Sequence, residues 1–392
     1  MHSFRHLMLF LLLCTTTAWC APHIPENDAV VLERMPFKPG DPTSRELRQL
    51  RDALSANPND ADAAVRLARR YFDLASAEGD PRYVGYAEAA LRPWPASDNA
   101  PTEVILMRAL LLQYRHDFRP AMQDLELVLQ KDPDNTEAIS WQFAIYLVQA
   151  DYAKARATCD RLAPKSTPLA SAACYAVIDS INGKNRQAYA ALTAALAKTP
   201  ARNAEYQQWV LTRLAEMALR SGDKVRAEQH FKEALATGLT DGFVLAAYAD
   251  FLLDESRPAE VIGLLHNWES SDILLLRLEL AAQALKSPDA TRYMRAMDDR
   301  FDAAALRGDK LHMQEEARHQ LEAHHDVTKA TRLALEGWAV QREIRDVRLL
   351  MEVALAGHNQ AAADAALAWM NGTGHEDPRY RALADEVRKM YK

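Results

Sequence analysis

Small residues recur at a nearly constant interval through this 392-residue chain. Ala87, Ala121, Ala155, Ala188, Ala227, Val261, a position near Met294, Ala330 and Ala362 follow one another at spacings of 34, 34, 33, 39, 34, 33, 36 and 32 residues. Each stands near the start of a segment whose apolar residues repeat every three or four positions, which is the period of a helix with one buried stripe. Two helices joined by a short turn pack closely only where neither presents a large side chain, so the interval predicts stacked helical hairpins. The prolines agree with this register. Pro133 and Pro200 each lie 12 residues beyond their alanine, while Pro120 and Pro258 fall at the start of second helices, where a missing amide costs little. One hairpin cannot bury both of its faces, but a stack of them can. The expected architecture is therefore an all-α solenoid stabilised roughly by a sum of nearest-neighbour terms.

The segment from Thr136 to Ala155 reads TEAISWQFAIYLVQADYAKA, and that from Gln208 to Ala227 reads QWVLTRLAEMALRSGDKVRA. Tyr146, Ala150, Tyr152 and Ala155 in the first stretch, and Leu214, Ala215, Ala218, Gly222, Ala227, Phe231 and Ala234 in and after the second, resemble the signature of the tetratricopeptide repeat (TPR). The resemblance implies a right-handed α-solenoid of about eight to nine hairpins. It covers residues 46–270, with the clearest repeats in 102–268, and continues through 271–392 as degenerate hairpins and a C-terminal cap. Departures are an extended first helix carrying Val65, Leu67, Ala68, Tyr71 and Phe72, an inserted loop near Gly79, Asp80 and Pro81, and Phe143 where the family carries a small residue. From Asp272 to Arg307 only the spacing assigns the repeat.

Residues 1–20 read as an address. Arg5 precedes an apolar run from Leu7 to Cys14, too short to span a membrane, and Ala18 and Cys20 suit the −3 and −1 positions of a cleavable secretory signal. Lipidation at Cys20 is the lesser alternative, because bulky Trp19 precedes it. Residues 21–45 hold Pro22, Pro25, Pro36, Pro39 and Pro42 and read as a proline-rich spacer. The mature chain is expected to be periplasmic and to lack a transmembrane segment. Export makes Cys159 and Cys174, the two cysteines beyond the cut, a candidate disulfide in an oxidising compartment.

With 47 Lys and Arg against 54 Asp and Glu, the net charge of −7 gives no electrostatic footprint for nucleic acid. Hydrophobic residues at 49% exclude a disordered chain. Glycine-rich phosphate loops, Gly-x-Ser-x-Gly, His-Glu-x-x-His and paired Cys motifs are all missing, so neither an enzyme nor a cofactor protein is expected. Asn371 opens a single Asn-x-Thr sequon.

The resemblance instead implies a concave groove that binds a protein or peptide partner, lined by the first helix of each hairpin. Carried onto this chain, the groove positions are Glu103, Leu106, Leu110, Gln113 and Tyr114; Glu137, Ser140, Ala144, Leu147 and Val148; Trp209, Thr212, Glu216 and Arg220; and Phe243, Ala246 and Asp250. No cluster of Lys or Arg stands among them, so a clamp for acidic chain ends is not expected. A metal-binding alternative rests on His312, Glu316 and His319, spaced i, i+4 and i+7. The plainer reading of that segment is a charged, exposed helix flanked by His324 and His325, with no metal. Trp338 and Trp369 read as core or end-capping residues.

Overall fold

The computed structural model describes residues 41–95, 99–200, 203–309 and 311–391. The expected signal, the lipidation site and all of the spacer before Asp41 lie outside the described residues. The chain divides into two compact units, 1–48 and 49–392. Of the first, the described residues 41–48 open helix α1 (Pro42–Ala56). Residues 49–392 form the second unit.

Among the described residues that unit is a run of nine antiparallel helical hairpins. They are α2 (Ala61–Glu78) with α3 (Arg82–Ala90), α4 (Thr102–Tyr114) with α5 (Phe118–Lys131), α6 (Thr136–Val148) with α7 (Tyr152–Leu162), and α8 (Pro168–Ile181) with α9 (Asn185–Ala197). Then follow α10 (Ala204–Arg220) with α11 (Lys224–Leu235), α12 (Gly242–Asp254) with α13 (Pro258–Leu265), and α14 (Asp272–Ala284) with α15 (Ala290–Arg307). The last two pair α16 (Met313–Arg318), prolonged by a π-helical turn over His319–Ala323, with α17 (Val327–Val340), and α18 (Ile344–Gly357) with α19 (Gln360–Thr373). A closing helix, α20 (Pro378–Met390), ends the array, and the described residues contain no strand. The fold is an all-α solenoid.

The recurring small residues lie where the spacing places them. Ala87, Ala121, Ala155, Ala227, Val261, Ala330 and Ala362 are all fully buried on the second helix of their hairpins, and Ala188 is 4% exposed. The exception is α15. There the fourth helical residue, which elsewhere is small, is Tyr293, buried with its hydroxyl 3.3 Å from Glu269, and Met294 is only half-buried.

A second periodicity belongs to the turns. Between the two helices of each hairpin one residue takes the left-handed conformation: Gly79, His116, Ala150, Gly183, Gly222, Ser256, Lys286, His325 and His358. In the second hairpin the amide of Asp117 donates to the Leu112 carbonyl at 2.9 Å and that of His116 to Gln113 at 2.9 Å, and the same pair of bonds closes α6, α10, α12 and α14. This C-cap favours glycine, because a Cβ costs about 1–2 kcal/mol in that region of φ. Exposed Lys286 (φ 52°) occupies it with no side-chain hydrogen bond among the described residues. Lys286→Gly is expected to stabilise by about 0.5–1 kcal/mol once the greater freedom of the unfolded glycine chain is subtracted. Gly222→Ala should destabilise by about 1 kcal/mol. Urea unfolding of the two variants beside the parent checks both signs.

Cys159 on α7 and Cys174 on α8 stand with their sulfurs at bonding distance and their Cα atoms 5.8 Å apart, linking the third and fourth hairpins. A closed loop of 15 residues restricts the unfolded chain by about 3 kcal/mol in the chain-entropy model. Reduction, or Cys159→Ser with Cys174→Ser, should therefore lower the unfolding free energy by roughly 2–3 kcal/mol, and equal midpoints for oxidised and reduced protein would contradict it.

The array does not remain an open stack of nearest neighbours. Arg69 of α2 pairs with Glu137 of α6 at 2.5 Å, and Phe72 meets Trp141 edge-on at 6.0 Å. A Cβ on Gly79 would fall 2.4 Å from the Ser271 hydroxyl, so the turn after α2 abuts the start of α14. At the other end the last hairpins turn back onto the middle ones. One core joins Ala173, Val177 and Ile181 of α8 and Leu214 of α10 to Val347, Leu350 and Met351 of α18 and Ala366, Trp369 and Met370 of α19. The Arg342 amide donates to the Val148 carbonyl at 2.7 Å, and the Asn185 amide to the Glu376 carboxylate at 2.9 Å. The expected sum of neighbour terms thus gains long-range terms that tie residues about 190 apart.

Candidate functional site

Because the array curls onto itself, its concave side becomes two connected hollows. The inner one, about 720 Å³, is bounded by α10 and α12 on one side and by α14, α16, α18 and α20 on the other. Among the described residues it is lined by eight arginines and seven carboxylates, and by no lysine. Arg277 is 1% exposed and donates to Asp250 from Nη2 at 2.7 Å and from Nε at 3.2 Å, and Arg318 reaches the same carboxylate at 2.9 Å. Burial alone would push the Asp250 carboxyl up, but the guanidiniums of Arg277 and Arg318 outweigh it and hold Asp250 well below the usual carboxylate range. Arg348 and Arg379 converge on Asp254, each at 2.9 Å, and Arg345 pairs with Glu343 at 2.6 Å. Planar, permanently charged guanidinium groups suit such bidentate internal pairing. The inner hollow is a lattice of ion pairs that braces the closed array.

The outer hollow is larger, about 1390 Å³, and mainly apolar. Its walls come from α6 (Ser140, Trp141, Phe143, Ala144, Leu147), the start of α8 (Pro168, Leu169), and α10 and α12 (Tyr206, Trp209, Phe243). Tyr206 and Trp209 stack at 5.7 Å, and Phe243 is 42% exposed. Arg213 stands at the junction of the two hollows. Its guanidinium lies 4.5 Å from the Phe243 ring centre and 5.4 Å from that of Trp209, while its buried Nε has no partner among the described residues.

The groove residues carried over from the TPR resemblance are distributed unevenly between these places. Ser140, Ala144, Leu147, Trp209 and Phe243 meet in the outer hollow. Tyr114, Val148, Glu216, Arg220, Ala246 and Asp250 line the inner one. Glu103, Gln113 and Glu137 border neither. Leu106, Leu110 and Thr212 need correction, since all three are buried, Leu110 fully and Thr212 to 1% with its hydroxyl donating to the Gln208 carbonyl at 2.9 Å. Helix α4 packs against α2, α5 and α6, so it is apolar on every side from Val104 to Met107 and has no groove face there. Arg220, 8% exposed, donates to Ser180 at 2.8 Å and lies 3.6 Å from Glu216, which makes it a strut.

Beyond the carried-over groove positions, among which no Lys or Arg cluster stands, the inner hollow gathers arginines from elsewhere in the chain. Arg277, Arg318, Arg345, Arg348 and Arg379 all come from the last third, where the repeat signature fades. A signal was present in DILLLRLELAAQA, where a lone Arg277 and Glu279 interrupt an otherwise apolar helix and must find buried partners.

His312, Glu316 and His319 do not converge. Helix α16 begins only after His312, which faces Asp272 and Glu315 at 4.0 and 3.8 Å, and Glu316 pairs with Lys329 at 3.0 Å. The expected exposed helix is equally absent: Glu315 is 3% and His319 0% exposed. Among the described residues no helix is long and apolar enough to cross a membrane.

No family model matches the chain, and no curated protein matches it. Among solved structures it is similar to a chain in the crystal structure of the APC/C hetero-tetramer Cut9-Hcn1, with a TM-score of 0.52 at 13% identity. That match covers 88% of this chain, which spans 66%, just under two thirds, of the other. The crystal structure of the P58(IPK) TPR domain matches over 89% of this chain and 93% of its own at 16% identity, with a TM-score of 0.22. Identities this low speak to fold alone, and of these two matches the first, with a TM-score above 0.5, supports the all-α solenoid fold.

Proposed function

We propose that the chain is a non-catalytic protein-binding scaffold or assembly factor of the cell envelope, and that its outer hollow receives an apolar segment of a protein partner. The observation that carries this reading is Phe243, an aromatic ring 42% exposed at the rim of an apolar hollow beside Trp209 and Tyr206. Aromatic and arginine side chains at the centre of an interface dominate binding energy, and Trp209, Arg213 and Phe243 form such a cluster. The ion-pair lattice behind them keeps the hollow open before a partner arrives, which limits the ordering cost of association. The envelope assignment rests on the address read in residues 1–20.

Affinity capture from envelope extract, with the mature chain and a Phe243→Ala variant side by side, tests the reading. Phe243 is the variant of choice because its exposure keeps it out of the core, whereas Glu216 is engaged by Arg213 at 2.9 Å. A partner held by the parent should bind the variant at least about 30-fold more weakly, the loss of a 2 kcal/mol anchor, while both proteins melt alike. Equal retention by both would remove the outer hollow as the binding site.

A further inference from the structure

We propose that Asp298, His319 and His324 form a binding site for a divalent transition-metal ion of the zinc class, with Glu279 as the outer partner that orients His319. These residues come from α15, from the π turn and its end, and from α14, and no part of the groove reading uses them. His319 Nε2 and His324 Nε2 both approach one oxygen of Asp298, at 3.0 and 2.8 Å, and one ligand atom from each of the three residues lies within 4.8 Å of the others. An ion with bonds of about 2.0–2.1 Å in tetrahedral geometry needs its ligand atoms roughly 3.3 Å apart, so the three close on it with small outward shifts.

The surroundings match such a site in three ways. Glu279, fully buried, lies 2.9 Å from His319 Nδ1. A carboxylate on that nitrogen fixes the tautomer that leaves Nε2 free for a metal. The π turn supplies the second histidine. On a regular α-helix residues 319 and 324 would point roughly 140° apart, but the wider turn sets their rings 4.7 Å from each other. The charge also calls for a cation. Buried Asp124, Glu315 and Asp377 each pair with an arginine, whereas among the described residues neither Glu279 nor Asp298 has a Lys or Arg at salt-bridge distance. Asp298 and His324 keep side-chain exposures of 38% and 30%, which leaves an entry path and a coordination position for water. One oxygen and two imidazole nitrogens suit zinc, cobalt or nickel, and not calcium or magnesium.

The test uses the full chain, stripped with chelator, and titrates Zn²⁺ by calorimetry and Co²⁺ by visible absorption. One equivalent should bind and raise the melting temperature, with the absorption of a four- or five-coordinate cobalt centre. His324→Ala, at an exposed position, should melt like the parent without metal yet bind at least tenfold more weakly. Glu279→Gln should weaken binding 10–100-fold. No stoichiometric binding, or equal binding by parent and His324→Ala, would overturn the proposal and leave His319 as an imidazolium clamped between two carboxylates.

Discussion

Asp250→Ala is expected to destabilise the protein by about 3 kcal/mol, since it leaves the buried Arg277 guanidinium and the partly buried Arg318 without their shared carboxylate. Arg277 has a side chain 2% exposed, so its charge has little access to water when Asp250 is gone, whereas Arg318, 15% exposed, is partly solvated. Arg318 would keep Glu322 at 2.8 Å, but Arg277 would retain only the Ile273 carbonyl at 2.9 Å. Urea unfolding at neutral pH measures the loss. Arg277→Met in the same background should recover part of it, because the uncompensated charge and not the missing carboxylate is what costs. The sign with pH follows from the depressed carboxyl: its stabilisation is complete above the unfolded value of 3.8 and fades as the pH falls below it, so parent and variant should converge in acid. A loss below about 1 kcal/mol would mean the pair is solvated and the lattice is no brace. Asp250 was placed on the partner face by the repeat register, so weaker capture by this variant would report on folding and not on a contact.

The hairpins were legible because close helix packing admits few residue types at one position, and those positions recur. Ala121, Ala155 and Ala227 announce themselves. Tyr293 does not, since α15 accepts a large ring there, and the register read there fell one residue off, at Met294. The left-handed turns were half legible: Gly183 and Gly222 are the residues physics prefers, but His116, Ser256, Lys286, His325 and His358 tolerate the strain and carry no signature. At the site, Trp209 and Phe243 could be found because the repeat resemblance carries its groove positions onto them. Leu110 and Thr212 were misplaced because a groove position carried from one repeat to another ignores how many neighbours each helix has. His319 was misread for a different reason. The assumption of roughly 100° per residue fails where α16 starts late and opens into a π turn. Closure was invisible from local spacing altogether, since it depends on contacts between residues far apart in sequence.

Closure makes Trp369 the most informative single side chain. Its indole Nε1 donates to the Tyr152 hydroxyl at 3.1 Å across 217 residues, and its ring lies 5.2 Å from that of His375. His375, 2% exposed, contacts the Ile181 carbonyl at 3.2 Å, and burial lowers its pKa to about 4, so it is neutral at physiological pH. Trp369 therefore joins α19 to α7 directly and helps seat the α19–α20 turn on the end of α8. Trp369→Ala is expected to cost about 3–5 kcal/mol, the range for emptying a buried aromatic site. Tyr152→Phe, which removes only the hydroxyl, should cost about 1 kcal/mol. The distribution of the loss matters more than its size. In an open stack it would be confined to the hairpin that carries the mutation and the neighbour behind it. In a closed one, amide exchange should accelerate in α7 and α8 as well as in α18–α20, because the same contact protects both. Faster exchange limited to α17–α20 would show that the two ends open independently and that the outer hollow is held by its own repeats alone.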